Sequence, residues 1–348
     1  RVRLGELERG AKLTIYMVII GEPVARRRQA NLTQLFIVSD DGNTSAHTVF
    51  LCAVVIGGAV VAIVTACAAD ACRRDIVGFE GGEHAFQLSQ HGLKPRAGVG
   101  GGLVQTGRKT LNRQAGLITV RLHHFTLRLD ELERANADPD KVELTITRSM
   151  IDERTYSPMR DERRTYPYGI SVARLLEYMV AESDNNAADI LLAYTGGTEQ
   201  MQAYLKRLGF GEIEVSANEK EMNTDIAKQY VNRASPADVV RFLKTVREGD
   251  ILTPENRKFF DKIMTATVTG GDKLKAGLPQ GTVFGHKTGS SSRTAEGIKI
   301  ADNDAGFVIL PDGRTYYIAV MVSDSRMSDR ENAALAAEIS AVVYNRLR

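Results

Sequence analysis

The sequence contains no cysteine after residue 72. Its three cysteines, Cys52, Cys67 and Cys72, all lie towards the amino terminus of a chain of 348 residues. Neither a disulfide nor a thiolate metal site can therefore stabilise the remainder of the chain. That remainder is long enough to bury a full hydrophobic core, and we favour a single large domain.

An excess of charge of one sign is also missing. The chain has 45 Lys and Arg against 43 Asp and Glu, which leaves a formal net charge of +2. Arg26-Arg27-Arg28 is its one basic cluster, and no aromatic residues are interleaved with it, as they would be in a nucleic-acid surface. We therefore predict no nucleic-acid partner.

Charge is absent altogether between Thr48 and Ala69. An apolar run of this length is typical of a membrane span or of the core of an export signal, although the nearest basic cluster lies far upstream. A buried core helix and a translated upstream region without function are the alternatives. We interpret residues 1–69 as an amino-terminal extension with an export or anchor segment at 48–69, followed by the main domain at 70–348.

Regular elements are missing between Gly81 and Ile118, where glycines interrupt any apolar alternation. From Leu117 onward the pattern becomes regular. It predicts a buried helix that ends near Pro139, a strand at 142–146, and a helix capped by Ser171. Further predictions are a second helix from Ala187 to Tyr194, helices at 201–208 and after Ser235, a strand leading to Lys287, a hairpin at 304–322 and a last helix capped by Ser328. Helices followed by long strands indicate an α+β layered domain.

Two short motifs place a hydroxyl or an ammonium group beside small neighbours: Ser183-Asp184-Asn185 and Lys287-Thr288-Gly289. The first lies on a helix-to-helix connection, a rigid yet exposed position that suits catalysis. Each tripeptide alone is a weak signal, but the pair, in this order and context, is much stronger. Together they indicate acyl transfer; the alternative is a polar loop that opens a helix and a polar strand end.

These motifs resemble the second and third motifs of the serine β-lactamases and penicillin-binding proteins. Tyr156-Ser157-Pro158-Met159 is similar to the segment lining the substrate mouth, and residues 217–223 resemble the omega-loop carboxylate motif of class A β-lactamases. Asn303-Asp304 and the turn at Pro311 are similar to the extended-spectrum branch typified by the PER and CfxA enzymes. The resemblance covers about residues 120–348. It implies an antiparallel sheet flanked by helices, with an all-helical subdomain.

The resemblance implies β-lactam hydrolysis through a serine acyl-enzyme, without metal or cofactor. Ser183 would relay a proton to the ring nitrogen, and Lys287 would supply positive charge near that hydroxyl and the substrate carboxylate. Glu219 would be the general base for the deacylating water, with a solvated loop carboxylate as the alternative. The implied substrate-binding residues are Tyr156, Asn185, Asn223, Thr288, Gly289 and Ser290. Among these, the N–H of Ser290 would be an oxyanion donor.

The nucleophile motif of that family, Ser-x-x-Lys, is absent from the whole chain. Counting back from Ser157 and Ser183 at the family's usual spacing puts it at Thr119-Val120-Arg121-Leu122. Leu122 cannot accept a proton, so we expect no measurable turnover by the chain as written. Three explanations for the irregular stretch that ends here stay open: translation in a shifted frame, an engineered alteration, and divergence in a protein that only binds.

Two further functions are alternatives to the β-lactamase. A penicillin-binding D,D-peptidase shares both tripeptides but would lack a deacylating carboxylate such as Glu219. A non-catalytic envelope protein that binds β-lactams or peptidoglycan would explain the missing nucleophile. Val64-Thr65-Ala66-Cys67 resembles a bacterial lipoprotein box, so we predict export to the periplasm and a lipid anchor at Cys67. We also expect the protein to be a monomer.

Overall fold

The computed structural model describes residues 117–348 continuously, and five strands before them: Lys12–Gly21 (β1), Thr48–Ile56 (β2), Ala59–Cys67 (β3), Phe86–Gln87 (β4) and Lys94–Pro95 (β5). Side chains are described from Arg121 onward. The apolar run predicted as an export or anchor segment therefore forms β2 and β3, which pair antiparallel. No helix of the described residues is long and apolar enough to cross a membrane. Export and the division at residue 70 stay predictions.

A six-stranded antiparallel sheet forms the centre of the fold, in the order β2-β3-β1-β10-β9-β8. Its last three strands are Val283–Ser290 (β8), Lys299–Ile309 (β9) and Thr315–Ser325 (β10), and the predicted turn at Pro311 joins β9 to β10. The predicted hairpin is thus confirmed. Strand β1 pairs with β10 along most of its length, so the neighbour of β10 comes from residues 12–21.

Helices cover both faces of this sheet. Their bounds are Leu117–Arg134 (α1), Pro158–Glu162 (α2), Val172–Val180 (α3), Asn185–Tyr194 (α4), Gly197–Arg207 (α5), Glu219–Thr224 (α6), Pro236–Glu248 (α7), Pro254–Thr265 (α8) and Asp329–Leu347 (α9). Short 3₁₀ turns occupy Arg148–Met150, Ile226–Tyr230 and Leu274–Gly277. A small separate sheet pairs Glu143–Ile146 (β6) with Tyr168–Ser171 (β7).

The alternation of side chains along β10 creates two hydrophobic cores. Tyr317, Ala319 and Met321 face the larger core, to which α1, α3, α4, α5, α7 and α8 also contribute. Tyr316, Ile318, Val320 and Val322 face the smaller core under α9. The α+β fold predicted from the order of helices and strands is therefore confirmed.

The predicted caps and most predicted helices are present. Ser171, Ser235 and Ser328 each accept a hydrogen bond from a backbone N–H of the first turn. On α9, Val343 packs in the smaller core, whereas its neighbour Val342 is 42% exposed. The helix α8 was not predicted, although Thr253 caps it and Pro254 begins it.

Candidate active site

A cleft of about 460 Å³ opens between the helices and the β8 edge of the sheet. The helical side contributes Arg121, Tyr156, Ser183, Asn185, Glu219 and Asn223, and the sheet side contributes Thr288, Gly289 and Ser290. The structure therefore brings both tripeptides, the omega-loop residues and Tyr156 to one place. Tyr156 is 57% exposed and lies at the mouth.

Ser183 occupies the connection between α3 and α4 in a left-handed conformation, with φ of 59°. A non-glycine residue there costs about 1–3 kcal/mol, and surrounding contacts must hold it. The buried Asp184 carboxylate provides them: it accepts hydrogen bonds from the N–H groups of Ala187 and Met159 and from the Ser157 hydroxyl. Burial raises the pKa of Asp184. The Ser183 hydroxyl thus projects from a rigid turn.

Lys287 lies in the middle of β8, opposite Ala305 of β9, and its side chain is completely buried. Its Nζ donates to Ser183 Oγ at 2.8 Å and to the carbonyl of Thr288 at 2.6 Å. Burial lowers the pKa of Lys287 well below its usual range, and the nearby Arg121 charge lowers it further. The pair can therefore exchange a proton more easily than an exposed lysine and serine could.

The opposite wall holds hydroxyl groups in fixed positions. Thr288 Oγ1 lies 2.8 Å from Thr269 Oγ1, and Ser290 Oγ donates to Asp302 Oδ1 at 2.7 Å. Lys273, which the sequence analysis did not identify, donates to Ser290 Oγ at 3.0 Å and forms an ion pair with Asp302. This wall presents the hydroxyls of Thr288 and Ser290 to the cleft, with the Lys273–Asp302 ion pair beside Ser290.

Glu219 is the first residue of α6 and is buried. Asp189 anchors this helix start by accepting from the N–H groups of Glu219, at 2.8 Å, and Lys220, at 2.9 Å. Burial raises the pKa of Asp189 to about 6, and the Glu219 charge contributes. The Glu219 carboxylate is therefore placed by the fold at the cleft and is not a freely solvated loop group.

Arg121 of α1 is the second cleft residue that the sequence analysis did not assign. Its Nε and Nη2 donate to Glu219 Oε1 at 3.2 and 3.0 Å, and Nη2 also donates to Asn185 Oδ1. Its Nη1 donates to the carbonyls of Met179, at 3.1 Å, and Asp184, at 3.2 Å. Five hydrogen bonds thus use the full donor capacity of a guanidinium.

The two asparagines of the cleft share one partner. Asn185 Nδ2 donates to Thr155 Oγ1 at 2.6 Å, and Asn223 Nδ2 donates to the same oxygen at 2.7 Å. Thr155 precedes Tyr156, so the mouth of the cleft, the start of α4 and the end of α6 are joined through one hydroxyl. Sequence spacing gave no signal for this residue.

The expected nucleophile positions, Thr119 and Leu122, are not among the described residues that line the cleft. Thr119 lies on α1, but its side chain falls outside the described part of the chain. Leu122 is 1% exposed and packs in the larger core, so it does not line the cleft. The cleft position on α1 belongs to Arg121, one residue earlier, because successive residues of a helix point in directions about 100° apart.

The chain is similar to several known proteins. The model of the β-lactamase enzyme family matches residues 121–347. A β-lactamase of Bacteroides uniformis is 41% identical over 234 residues, which are 67% of this chain and 79% of that protein. The extended-spectrum β-lactamase PER-1 of Pseudomonas aeruginosa is 34% identical over 64% of this chain and 72% of its own length. The crystal structure of a class A β-lactamase from Bacteroides cellulosilyticus has a TM-score of 0.63 at 42% identity, covering 67% of this chain and 84% of that one.

Proposed function

Because the chain belongs to the class A serine β-lactamase family, we propose that Ser183, Lys287 and Glu219 are the acting groups of a β-lactam-hydrolysing cleft. The observation that carries this proposal is the 2.8 Å contact between Lys287 Nζ and Ser183 Oγ, in a cleft that Glu219 also lines. In this assignment Ser183 donates its proton to the ring nitrogen as the C–N bond breaks. The Lys287 ammonium stabilises the negative charge that develops on the Ser183 oxygen during that transfer.

Substrate binding is assigned to the cleft walls. Thr288 and Ser290, with Lys273 behind them, suit the carboxylate of a β-lactam, and Asn185 suits its amide side chain. Tyr156 covers the mouth. Glu219 orients and deprotonates the water that releases the acyl group, and Asn223 assists in placing that water.

The D,D-peptidase and the purely binding protein are not favoured. The relatives named above are β-lactamases, and the chain covers more than two thirds of the length of each. A buried carboxylate at the cleft, Glu219, also fits a hydrolase better than a transpeptidase, which must keep water from its acyl-enzyme.

The chain as written lacks a nucleophile with its base. Thr119 with Leu122 does not provide a serine three residues before a lysine, and no Ser-x-x-Lys occurs elsewhere in the sequence. Loss of a nucleophile or its base has cost about 10⁶-fold in a serine hydrolase dissected by mutation. We therefore propose that the chain as written is an impaired β-lactamase: its cleft still binds a β-lactam, and measurable hydrolysis requires the Ser-x-x-Lys motif.

Equilibrium binding of a chromogenic cephalosporin to the full chain tests this function. We expect saturable binding without hydrolysis, and weaker binding in Lys287→Met and Thr288→Val. Lys262→Met is the matched control, because that lysine is exposed on α8, outside the cleft lining. Equal binding by Lys287→Met and Lys262→Met would contradict the proposal. Hydrolysis by the unmodified chain, lost in Ser183→Ala and kept in Thr119→Val, would place the nucleophile elsewhere.

We further propose export to the bacterial periplasm with a lipid anchor at Cys67, supported by the charge-free run and the Val64–Cys67 sequence. Cell fractionation with radiolabelled palmitate tests it. Label in the membrane fraction of the parent chain, absent from Cys67→Ser, is the expected result, and an unlabelled cytoplasmic protein would contradict it.

A further inference from the structure

We propose that Gln229 is a specificity-determining residue of this cleft, because its side-chain amide bridges the two walls and so limits the size of the ligand group that fits between them. The inference rests on the proposed function, since it concerns which β-lactams the cleft binds. Gln229 lies in the 3₁₀ turn Ile226–Tyr230, is 5% exposed and lines the cleft. The steps assigned to Ser183, Lys287 and Glu219 do not use its side chain.

The amide of Gln229 contacts both walls at once. Its Nε2 donates to the carbonyl of Met222, on α6, at 3.0 Å. Its Oε1 accepts from the backbone N–H of Ser292, two residues beyond the end of β8, also at 3.0 Å. Met222 and Ser292 both line the cleft. One buried side chain therefore fixes the distance between the helical wall and the sheet wall at this point.

Each end of the Gln229 bridge belongs to a wall with its own internal contacts. On the sheet side, Ser291 Oγ donates to the carbonyl of Ser292 at 2.8 Å and accepts from the N–H of Ala301 at 2.7 Å. On the helical side, the buried Asn232 donates to Met222 Sδ at 3.4 Å. Each wall can therefore keep its local structure when the bridge between them is removed.

The next residue of the turn makes a second contact with the sheet. Tyr230 donates to Asp324 Oδ1 at 2.9 Å, but both residues are exposed. Water competes for an exposed hydrogen bond, so this contact holds the walls together less firmly than the buried amide does. Loss of the Gln229 bridge should therefore allow the walls to move apart.

The bridge bears on the ligand group that lies beyond the amide assigned to Asn185. Met222 and Asn223 line the cleft on one side of Gln229, and Ser291 and Ser292 line it on the other. A bulky group between them can enter only by breaking the bridge, which leaves the Ser292 N–H and the Met222 carbonyl without their partner. A slender group can enter while the bridge stays intact.

Gln202 of α5 provides a matched control. Its Nε2 donates to the carbonyl of Ile213 at 2.9 Å, and its Oε1 accepts from the N–H of Val215 at 3.0 Å. It thus bridges two backbone segments as Gln229 does, but it lies outside the cleft lining. Gln229→Met and Gln202→Met remove the same kinds of hydrogen bond and keep a side chain of similar length.

The test compares two penicillins that share the ring system and the carboxylate. One carries a phenylacetyl side chain and the other a di-ortho-methoxybenzoyl side chain, which is bulky next to the amide. Their affinities for the full chain are measured by competition with a chromogenic cephalosporin. If a variant hydrolyses them, the ratio of the two kcat/KM values measures the same selectivity. Thermal unfolding checks that each variant folds.

We expect the parent to prefer the phenylacetyl penicillin by at least about tenfold, since a closed pocket rejects one excess methylene-sized group by about 10–200-fold. Gln229→Met should lose most of this preference by binding the bulky penicillin more tightly, whereas Gln202→Met should keep it. A merely structural role for Gln229 would weaken the binding of both penicillins and leave their ratio unchanged. The parent ratio in Gln229→Met would therefore overturn the inference.

Two further measurements complete the test. Gln229→Asn, whose amide is one methylene shorter, replaces Gln229→Met if that variant does not fold, with the same expected loss of preference. Hydrogen exchange of the Ser292 N–H should be slow in the parent, and rapid exchange would overturn the bridge itself. A parent that binds both penicillins equally refutes the inference alone, whereas a parent that binds neither refutes the proposed function.

Discussion

Lys287 Nζ lies 2.8 Å from Ser183 Oγ, although 104 residues of chain separate them. The lysine comes from the middle of a strand and the serine from a strained turn between two helices. Neither element alone could form this contact, and the lysine that makes it is completely buried in the folded domain. The relative position of the sheet and the helices therefore determines the burial of Lys287, and burial lowers its pKa.

Lys287→Met should change how the free energy of unfolding depends on pH. The unfolded lysine keeps its proton up to about pH 10.5, whereas the folded one loses it at lower pH. The unfolded state thus binds more protons between these values, and the lysine's contribution to stability rises with pH in that window. In urea denaturation from pH 7 to 10, the free energy of unfolding of the parent should increase relative to that of Lys287→Met as pH rises. Parallel curves, as expected for Lys262→Met, would contradict this.

Arg121 and Glu219 should be strongly coupled. Glu219→Met or Arg121→Met leaves one buried charge without its partner, which typically costs about 3–5 kcal/mol. We expect the double variant to cost clearly less than the sum of the two, measured by urea denaturation. The exposed pair Lys141–Asp138 is a control, for which removal of either partner should cost less than about 1 kcal/mol. Additive costs for Arg121 and Glu219 would show that the ion pair does not matter.

Asp189→Asn should flatten the pH dependence of stability in mild acid. Burial raises the pKa of Asp189 from 3.8 to about 6, so the folded state binds more protons than the unfolded state between these values. Stability from this group therefore falls as pH rises from about 4 to about 6. Thermal unfolding at several pH values should show this slope in the parent and a smaller one in Asp189→Asn. An unchanged slope would assign it to other groups.

Gly270→Ala should weaken cephalosporin binding. Gly270 has φ of 68°, and a Cβ there would lie 2.3 Å from Cγ2 of Thr288. Gly197→Ala is the matched control, because its φ is 83° but no heavy atom lies within 4 Å of the added carbon. Both variants should lose about 1–2 kcal/mol of stability to backbone strain. Thermal unfolding and binding titrations separate the effects, and equal binding by both would contradict a role for Thr288.

The sequence predicts the fold well where local chemistry decides the structure. Serine caps at Ser171, Ser235 and Ser328 begin helices where their first-turn hydrogen bonds require, and the Pro311 turn closes the hairpin. It predicts less well where tertiary contacts decide. The guanidinium of Arg121 and the ammonium of Lys273 acquire their positions only when Glu219 and Asp302 arrive from distant elements. Adjacent residues of one helix meet different surroundings: Arg121 lines the cleft, whereas Leu122 packs in the larger core.

The Asp184 carboxylate links the segment at Ser157 to the start of α4 through hydrogen bonds. Two residues of the cleft lining, Tyr156 and Asn185, each lie next to a residue in this hydrogen-bonded link. A substitution that enlarges the mouth must preserve the hydrogen bonds that this carboxylate accepts. Without them, the turn that carries Ser183 becomes less rigid. Changes that adapt the cleft to larger β-lactams are therefore constrained by a buried carboxylate outside the cleft lining, and compensating changes should accumulate at Ser157.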